Sequence, residues 1–519
     1  MLPMPRFCSS LAVLALSVLC VPSPADVTLP AVLSSHMVLQ RDMPVPIWGK
    51  AAPGERVTVE FRGQTHSTQA DAQGQWLVKL APLAAGGPEQ LVVKAANTSI
   101  LEDVLVGEVW LGSGQSNMAG LVGSYQKNDP LLAKAAALSY PKIRLLKSGA
   151  NGWEQATPEN NARFSALLFA FGVVLHKEVD VPVGLMVGAV GGTPSGNWIS
   201  PVAYQADKAC QQVAAEFAKT YSLQQARQQY VKDLAAWEKA VAKAKQAGAR
   251  EPRKPPEPRN PGECLRGEIG SLYQRHIRPF IPHAIRGVLW DQGESGTAIV
   301  GVDQFTLMGA LIRGWRQDWG QGDFPFLYVQ KPSGGGCAWD YRDAVTSQAN
   351  KFEPLPATVP ATPSGLFREL HIRIMQHPHT AMVSCSDLGP DTHPVNKSGY
   401  GTRAARVALG AAYGWKIAIY GPTYRSHQIS GNTVRVQFSH VSQGLAYRHA
   451  EQLRGFALAG EDQVFHWADA KIEGDSVLVS CPKVPQPVAV RYAWGATHPW
   501  ANLFNQDGLP ALAFRTDAW

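Results

Sequence analysis

The sequence predicts an α/β protein: a parallel sheet flanked by helices, with an N-terminal β-sandwich module and a C-terminal β module. Two patterns and the length predict it. Between residues 104 and 415 the apolar runs VLVGEVWL, PVGLMVGAV, RGVLWDQ, FPFLYVQ and TAMVSCSD alternate with stretches of helical periodicity. Strands covered on both faces lose polar alternation, so such runs point to a parallel sheet with helices on either side. On either side of this region, short alternating runs separated by turn residues take over. The chain has 519 residues, 45% of them hydrophobic and 17% charged, too many for one ordinary domain.

Residues 1–25 are expected to leave the mature protein. Arg6 supplies a positive start, residues 11–21 form an apolar core too short to span a bilayer, and Ser23, Pro24 and Ala25 offer small residues for cleavage near Ala25 and Asp26. Cys20 follows Leu19, a poor fit to the small residue a lipidation site requires. The expected location is therefore secreted or periplasmic, and no later run is long and apolar enough to cross a membrane.

Residues 26–103 read as the N-terminal β module. VPIWG, RVTVEF, QWLVKL and QLVVKA alternate, and Pro53-Gly54, residues 71–74 and Gly86-Gly87-Pro88 supply the turns. Residues 104–415 form the α/β domain, with helical periodicity at 166–175, 305–315 and 403–412. A helical insertion at about 203–262 interrupts it: residues 203–249 are rich in Ala, Lys and Gln, and EPRKPPEPRNP follows as a charged, Pro-rich connector. Residues 416–519 return to β patterning in TVRVQF, GFALAG, SVLVSC and VAVRYAW.

The formal charge of +7 drops by one when Arg6 leaves with the leader, and much of the excess lies between Lys219 and Arg259. That is a solvated face, and no nucleic-acid motif accompanies it. Cys8 and Cys20 leave with the leader, and Cys210, Cys264, Cys337, Cys385 and Cys481 remain. An oxidising compartment permits a disulfide, and Cys210 with Cys264 is the expected pair because they bracket the insertion. No CxxC spacing suggests a metal, and the His377-Pro378-His379 run has no third ligand at suitable spacing.

Chemistry collects at the ends of four strands. Ser116 follows VWLGSG, Gly191-Gly192-Thr193 follows GLMVGAV, Gln292 and Glu294 follow GVLWD, and Asp387, Asp391 and His393 follow TAMVSC. Ligands of such sheets sit beyond the carboxyl ends of the strands. Each residue has an ordinary reading by itself: Ser116 as a helix cap, the glycines as turn residues, His393 as one of 14 histidines. Together they supply the parts of acyl transfer. Ser116 is the candidate nucleophile and needs a base. His393 is the candidate base and needs a carboxylate to hold its tautomer. Gly192, Gln292 and the Ser116 N–H are candidate donors to the oxyanion. Asp391 is the expected third member, two residues from His393 and on the same side of an extended segment. Asp387 and Glu294 stay open as alternatives, and Glu294 is also a candidate substrate-binding residue.

The stretches GEVWLGSGQSNM, GAVGGTP with NWIS, AIRGVLWDQGESG and SDLGPDTHPVNKSGYGTRAA resemble the four blocks of the sialate O-acetylesterase family, carbohydrate esterases of the SGNH-hydrolase fold. LSSHMVLQRDMPVPIWGKAAPGE and LRGFALAGEDQVFHWADAKIEGDSV resemble its flanking β modules, so the likeness covers nearly the whole mature chain outside the insertion. Three positions depart from the pattern. Asp291 stands where the family commonly has an aromatic, Gly296 where it has Asn, and Pro390 where many such enzymes place the Asp. The resemblance implies removal of O-acetyl groups from a carbohydrate by a Ser–His–Asp mechanism, with no cofactor and no metal. It implies an acetylated sugar as the partner, such as 9-O-acetyl sialic acid, with acetylxylan or another plant polysaccharide acetate as the alternative. A carbohydrate-binding protein without activity is a rival that would use the 15 tryptophans, and a peptidase with the same triad is another.

Overall fold

The computed structural model describes residues 26–331, 334–336, 343, 345–346, 352–360, 365–389 and 392–519. The expected leader, Cys337 and Asp391 lie outside the described residues.

A seventeen-residue strand, β1 (Thr98–Gly114), organises the molecule. Its first part pairs antiparallel with Gly86–Lys94 of the N-terminal module, and its second part lies at the centre of the parallel sheet. The boundary expected between residues 103 and 104 thus falls inside one continuous strand. In the N-terminal module, RVTVEF forms a strand, Arg56–Phe61, that buries Val57, Val59 and Phe61 and turns the residues between them outward, the period-2 pattern its sequence shows.

The parallel sheet continues with β2 (Tyr140–Lys147), β3 (Val183–Ala189), β4 (Gly287–Asp291), β5 (Phe326–Val329) and β6 (Thr380–Val383). Their order across the sheet is β6-β5-β4-β1-β3-β2, with Glu154–Ala156 added antiparallel at the β2 edge. Chain order reverses direction at β1, so the end of β1 is a topological switch point, where sheets of this kind open a crevice for a ligand. Gly114 is in register with Ala189 of β3 and with Asp291 of β4, so three strands end in one layer.

Five helices matter for the site and its surroundings: α1 (Ser116–Ala119), α2 (Ala166–Val179), α3 (Leu223–Gln246), α4 (Gln304–Trp319) and α5 (Lys397–Ala411). Helices α2 and α5 cover one face of the sheet, where Leu289 and Leu327 join their core. A Cβ on Gly401 of α5 would lie 2.5 Å from the Phe171 backbone nitrogen, so glycine there permits the close crossing of α5 over α2. Helix α4 covers the other face with Leu311 and Trp315 against Trp290 and Phe326.

The insertion is helical, and α3 buries none of its residues. The Pro-rich connector is tied back to it: Trp237 Nε1 donates to the Pro252 carbonyl at 2.8 Å, and the Tyr221 hydroxyl to that of Arg259 at 3.0 Å. Cys210 and Cys264 are separate thiols rather than the expected disulfide. Cys210, in the helix Lys208–Ala218, is turned toward the Thr306 carbonyl of α4 at 3.9 Å, and Cys264 toward the carbonyl of Arg266 in its own loop at 3.2 Å, so the two sulfurs have separate partners. The C-terminal module has two four-stranded antiparallel sheets around a core that includes Val434, Phe456, Val479 and Val490. Among the described residues no helix is long and apolar enough to cross a membrane.

Candidate active site

The turn after β1 is shaped by close packing. Gly114 has φ of +127°, and a Cβ on it would lie 2.2 Å from the Asp291 carbonyl oxygen. Only glycine fits there. The Gln115 N–H donates to that same oxygen at 2.8 Å, which ends the strand and starts α1. Ser116 is the first residue of α1, so its N–H is one of those a helix leaves without an internal acceptor.

Ser116 Oγ and His393 Nε2 are 2.7 Å apart. These residues are separated by 277 positions in the chain, and the fold brings them into direct hydrogen-bond contact. Gly191 lies against the serine: a Cβ on it would be 3.5 Å from Ser116 Cβ. Gly192 follows with φ of +70°, a left-handed conformation suited to glycine. Ser116, His393 and the Gly191-Gly192 turn thus share one crevice.

The other expected residues have different surroundings. Gln292 is buried, and its amide nitrogen donates to the Thr193 and Gly296 carbonyls at 3.2 and 3.0 Å, while its oxygen accepts from Gln304 at 3.2 Å. It braces the turn that carries Gly192, and its donors are engaged by backbone. Glu294 accepts from the Gln115 amide and pairs with Lys331 at 3.2 Å. Asp387 forms a buried two-point pair with Arg403 at 2.9 and 3.2 Å. Both alternative carboxylates therefore have strong partners away from the imidazole. Asp391, the expected orienting carboxylate, lies outside the described residues.

Two residues not singled out from sequence complete the arrangement. Asn117 is buried and donates from Nδ2 to the Thr392 carbonyl at 2.9 Å, so the residue after the serine holds the backbone just before His393. Lys397 Nζ in turn donates to Asn117 Oδ1 at 2.6 Å. Lys397 is fully buried, with its ammonium 4.6 Å from the Tyr125 ring centroid and 5.2 Å from that of Tyr400. Burial lowers its pKa to about 7. The available signal was an amide next to the serine, and a lysine set among residues that the helix buries.

Beneath the crevice lies a charged cluster. Lys331 and Asp291 are both fully buried and 2.5 Å apart. Burial pushes the Asp291 carboxyl up, Lys331 opposes this, and neighbouring Glu294 adds to it. Burial alone would lower the Lys331 ammonium, but Asp291 and Glu294 raise it above the ordinary lysine range.

A serine in contact with an imidazole at the switch point of a parallel sheet, faced by a glycine turn, supplies groups that acyl transfer requires. The family described as carbohydrate esterase, sialic acid-specific acetylesterase, matches residues 106–229. Sialate O-acetylesterases of Pongo abelii and Homo sapiens are each 27% identical over 342 residues, covering 58% of this chain and 56% of theirs. The chain thus matches little more than half the length of these curated relatives. A solved carbohydrate acetylesterase from Xanthomonas citri is 30% identical, with a TM-score of 0.73 over 95% of this chain and 100% of that one. The chain belongs to the sialate O-acetylesterase family of carbohydrate esterases.

Proposed function

We propose that this protein is a carbohydrate O-acetylesterase with Ser116 as nucleophile and His393 as general base. The observation that carries the reading is the 2.7 Å contact of Ser116 Oγ with His393 Nε2, on a fold shared over 95% of this chain with a carbohydrate acetylesterase. Ser116 Oγ attacks the acetyl carbonyl carbon as His393 Nε2 takes its proton. The negative charge that develops on the carbonyl oxygen is held by the N–H groups of Ser116 and Gly192. The tetrahedral intermediate collapses to an acetyl-serine, and His393 returns the proton to the sugar hydroxyl that leaves. Water then attacks the acetyl-serine as His393 takes its proton; the bond to Ser116 Oγ breaks, His393 returns the proton to Oγ, and the acetic acid formed leaves as acetate.

Asp391 orients His393 in this reading. Its support is its place two residues before the imidazole and the engagement of Asp387 by Arg403 and of Glu294 by Lys331. The substrate we favour is an O-acetylated sialic acid, because the curated relatives are sialate O-acetylesterases; an acetylated plant polysaccharide is the second candidate. We further propose export through the leader pattern of residues 1–25. The test is acetate release from a panel of acetylated sialosides and xylans, with the Ser116→Ala protein as blank. Release from neither class above that blank would overturn the reading, and amino-terminal sequencing of the exported protein tests cleavage near Ala25.

A further inference from the structure

A cleft of about 840 Å³ opens at the C-terminal module, lined by residues 357–360, the Gln463–Trp467 segment, Lys483, Arg491 and Trp519 among others. It contains neither Ser116 nor His393 and contributes nothing to the chemistry proposed above. Its size is within the range of small-molecule and oligosaccharide sites.

Three aromatic rings form its walls: Phe465, Trp467 and Trp519. Phe465 and Trp519 lie 6.5 Å apart between centroids, inclined by 36°. Trp519 is 46% exposed and the adjoining Val464 51%, a large apolar surface to leave in water. Two of the rings are held in place. The Arg491 guanidinium covers one face of Phe465 at 3.8 Å from its centroid, and is itself fixed by Asp517 at 2.8 and 2.6 Å. Trp467 donates from Nε1 to the Pro356 carbonyl at 2.7 Å and packs edge-on against Trp500. A platform fixed beforehand loses little entropy when a ligand settles on it.

The polar groups along the walls decide what that ligand is. Gln463, His466, Lys483 and Arg491 line the cleft, and among the described residues no Asp or Glu side chain does. The Lys483 and Arg491 side chains disfavour a cationic peptide. A pyranose ring presents an apolar C–H face, which the electron-rich face of an aromatic ring attracts, and a rim of hydroxyls that accept hydrogen bonds from amide and cationic donors. Uncharged or acidic sugars suit both features.

We propose that this cleft is a second, non-catalytic binding site for a glycan chain, with Trp519 as its exposed stacking residue. It holds a polymeric substrate on the C-terminal module and raises the local concentration of its acetyl groups at Ser116. Only the choice of ligand rests on the esterase reading.

The test keeps the two apart. Binding is measured with the Ser116→Ala protein by native electrophoresis through gels containing acetylated xylan or O-acetylated, sialic-acid-bearing mucin. Retardation by either polymer, weakened at least tenfold in apparent affinity by an added Trp519→Ala, is the expected result. In the active protein, Trp519→Ala should leave kcat/KM on 4-nitrophenyl acetate within twofold and raise KM on the retarding polymer at least fivefold. Lys483→Ala is the second variant and should weaken retardation in the same sense. No retardation of Ser116→Ala by either polymer overturns the proposal. So does equal retardation of the Trp519→Ala and Lys483→Ala forms, or a change of oligomeric state on Trp519→Ala, which would make the patch a self-association face. Failure of the esterase reading appears separately, as absence of acetate release over the Ser116→Ala blank.

Discussion

Asp387→Asn separates structure from catalysis in this site. Asp387 sits just after β6, and Arg403 reaches it from α5 with two hydrogen bonds, at 2.9 and 3.2 Å, and a third to the Ser384 carbonyl at 3.0 Å. The side chains of the pair are 2% and 7% exposed, so little solvent screens them. Asn preserves the volume and one acceptor but removes the charge, leaving the Arg403 guanidinium buried without its counter-ion. Removing one partner of a buried pair costs about 3–5 kcal/mol, and the retained acceptor puts this case near the lower figure. The pair clamps the start of the segment that carries His393 but does not touch the imidazole. We expect the denaturation midpoint to fall by an amount equivalent to about 3 kcal/mol. The kcat of the folded protein should stay within about tenfold of wild type, since that is only about 1.4 kcal/mol of barrier. Denaturant unfolding and acetate release on the same preparation read both quantities. A kcat lower by a thousandfold or more with an unchanged midpoint would show that Asp387 orients the histidine, and would refute the assignment to Asp391.

Four further outcomes are expected. Ser116→Ala should fold normally and lose activity by about a thousandfold or more, since only the oxyanion donors and substrate binding remain; more than a tenth of wild-type kcat in a clean preparation counts against the nucleophile. Gln292→Ala removes a donor to the Thr193 carbonyl beside Gly192, while the Gly296 carbonyl keeps the Ser195 N–H at 3.0 Å, so kcat should fall about tenfold while KM moves less; an unchanged kcat would show that the turn needs no brace. Lys397 has a folded pKa of about 7 against an ordinary 10.5, so the unfolded chain holds the extra proton between those values. The stability of wild type relative to Lys397→Met should therefore be level below about pH 7 and rise with pH across that window, and a pH-independent difference in denaturant midpoints would contradict it. For Asp291 and Lys331, Asp291→Leu and Lys331→Met should each destabilise more than the double variant does, because Lys331→Met strands the Asp291 carboxylate and Asp291→Leu leaves Lys331 with Glu294 as its remaining counter-ion; simple additivity in denaturant melts would show that they do not act as a pair.

Much of the fold was legible because parallel strands buried on both faces leave uninterrupted apolar runs. Each run from β1 to β6 except the irregular β2 stood out, and the functional residues followed them directly. The helices at 166–175, 305–315 and 403–412 also appear where their periodicity put them, as parts of α2, α4 and α5. Strand order was not legible. Hydrophobic patterning reports which residues are buried and not which strand lies beside which, so the central position of β1 emerges only from the pairing. The shared strand across residues 103 and 104 was hidden for the same reason, since an alternating stretch can pass into a continuous one without a break in the chain.

The site was legible in its reacting groups and opaque in what holds them. Ser116 and His393 have a chemistry of their own, and their residue types point to it. Gln292 has none: an amide can face an oxyanion or a backbone carbonyl, and only the surroundings choose, here the carbonyls of Thr193 and Gly296. Asn117 and Lys397 act through partners 275 and 280 residues away, beyond any local pattern. Asp291 makes the point most sharply. In the sequence it is a departure, a carboxylate where relatives of this kind commonly carry an aromatic ring. An isolated carboxylate with no exposure would cost more than a fold of ordinary stability could bear. The neighbouring strand β5 resolves the conflict by ending two residues before Lys331, which arrives 2.5 Å from the Asp291 carboxylate, fully buried itself. A change that looks disruptive at one position is thus answered forty residues later on the adjacent strand. The two strands lie in parallel register, Trp290 opposite Tyr328, so the residues just beyond their ends are delivered side by side. That register is what converts two improbable buried charges into one compensated pair beneath the serine.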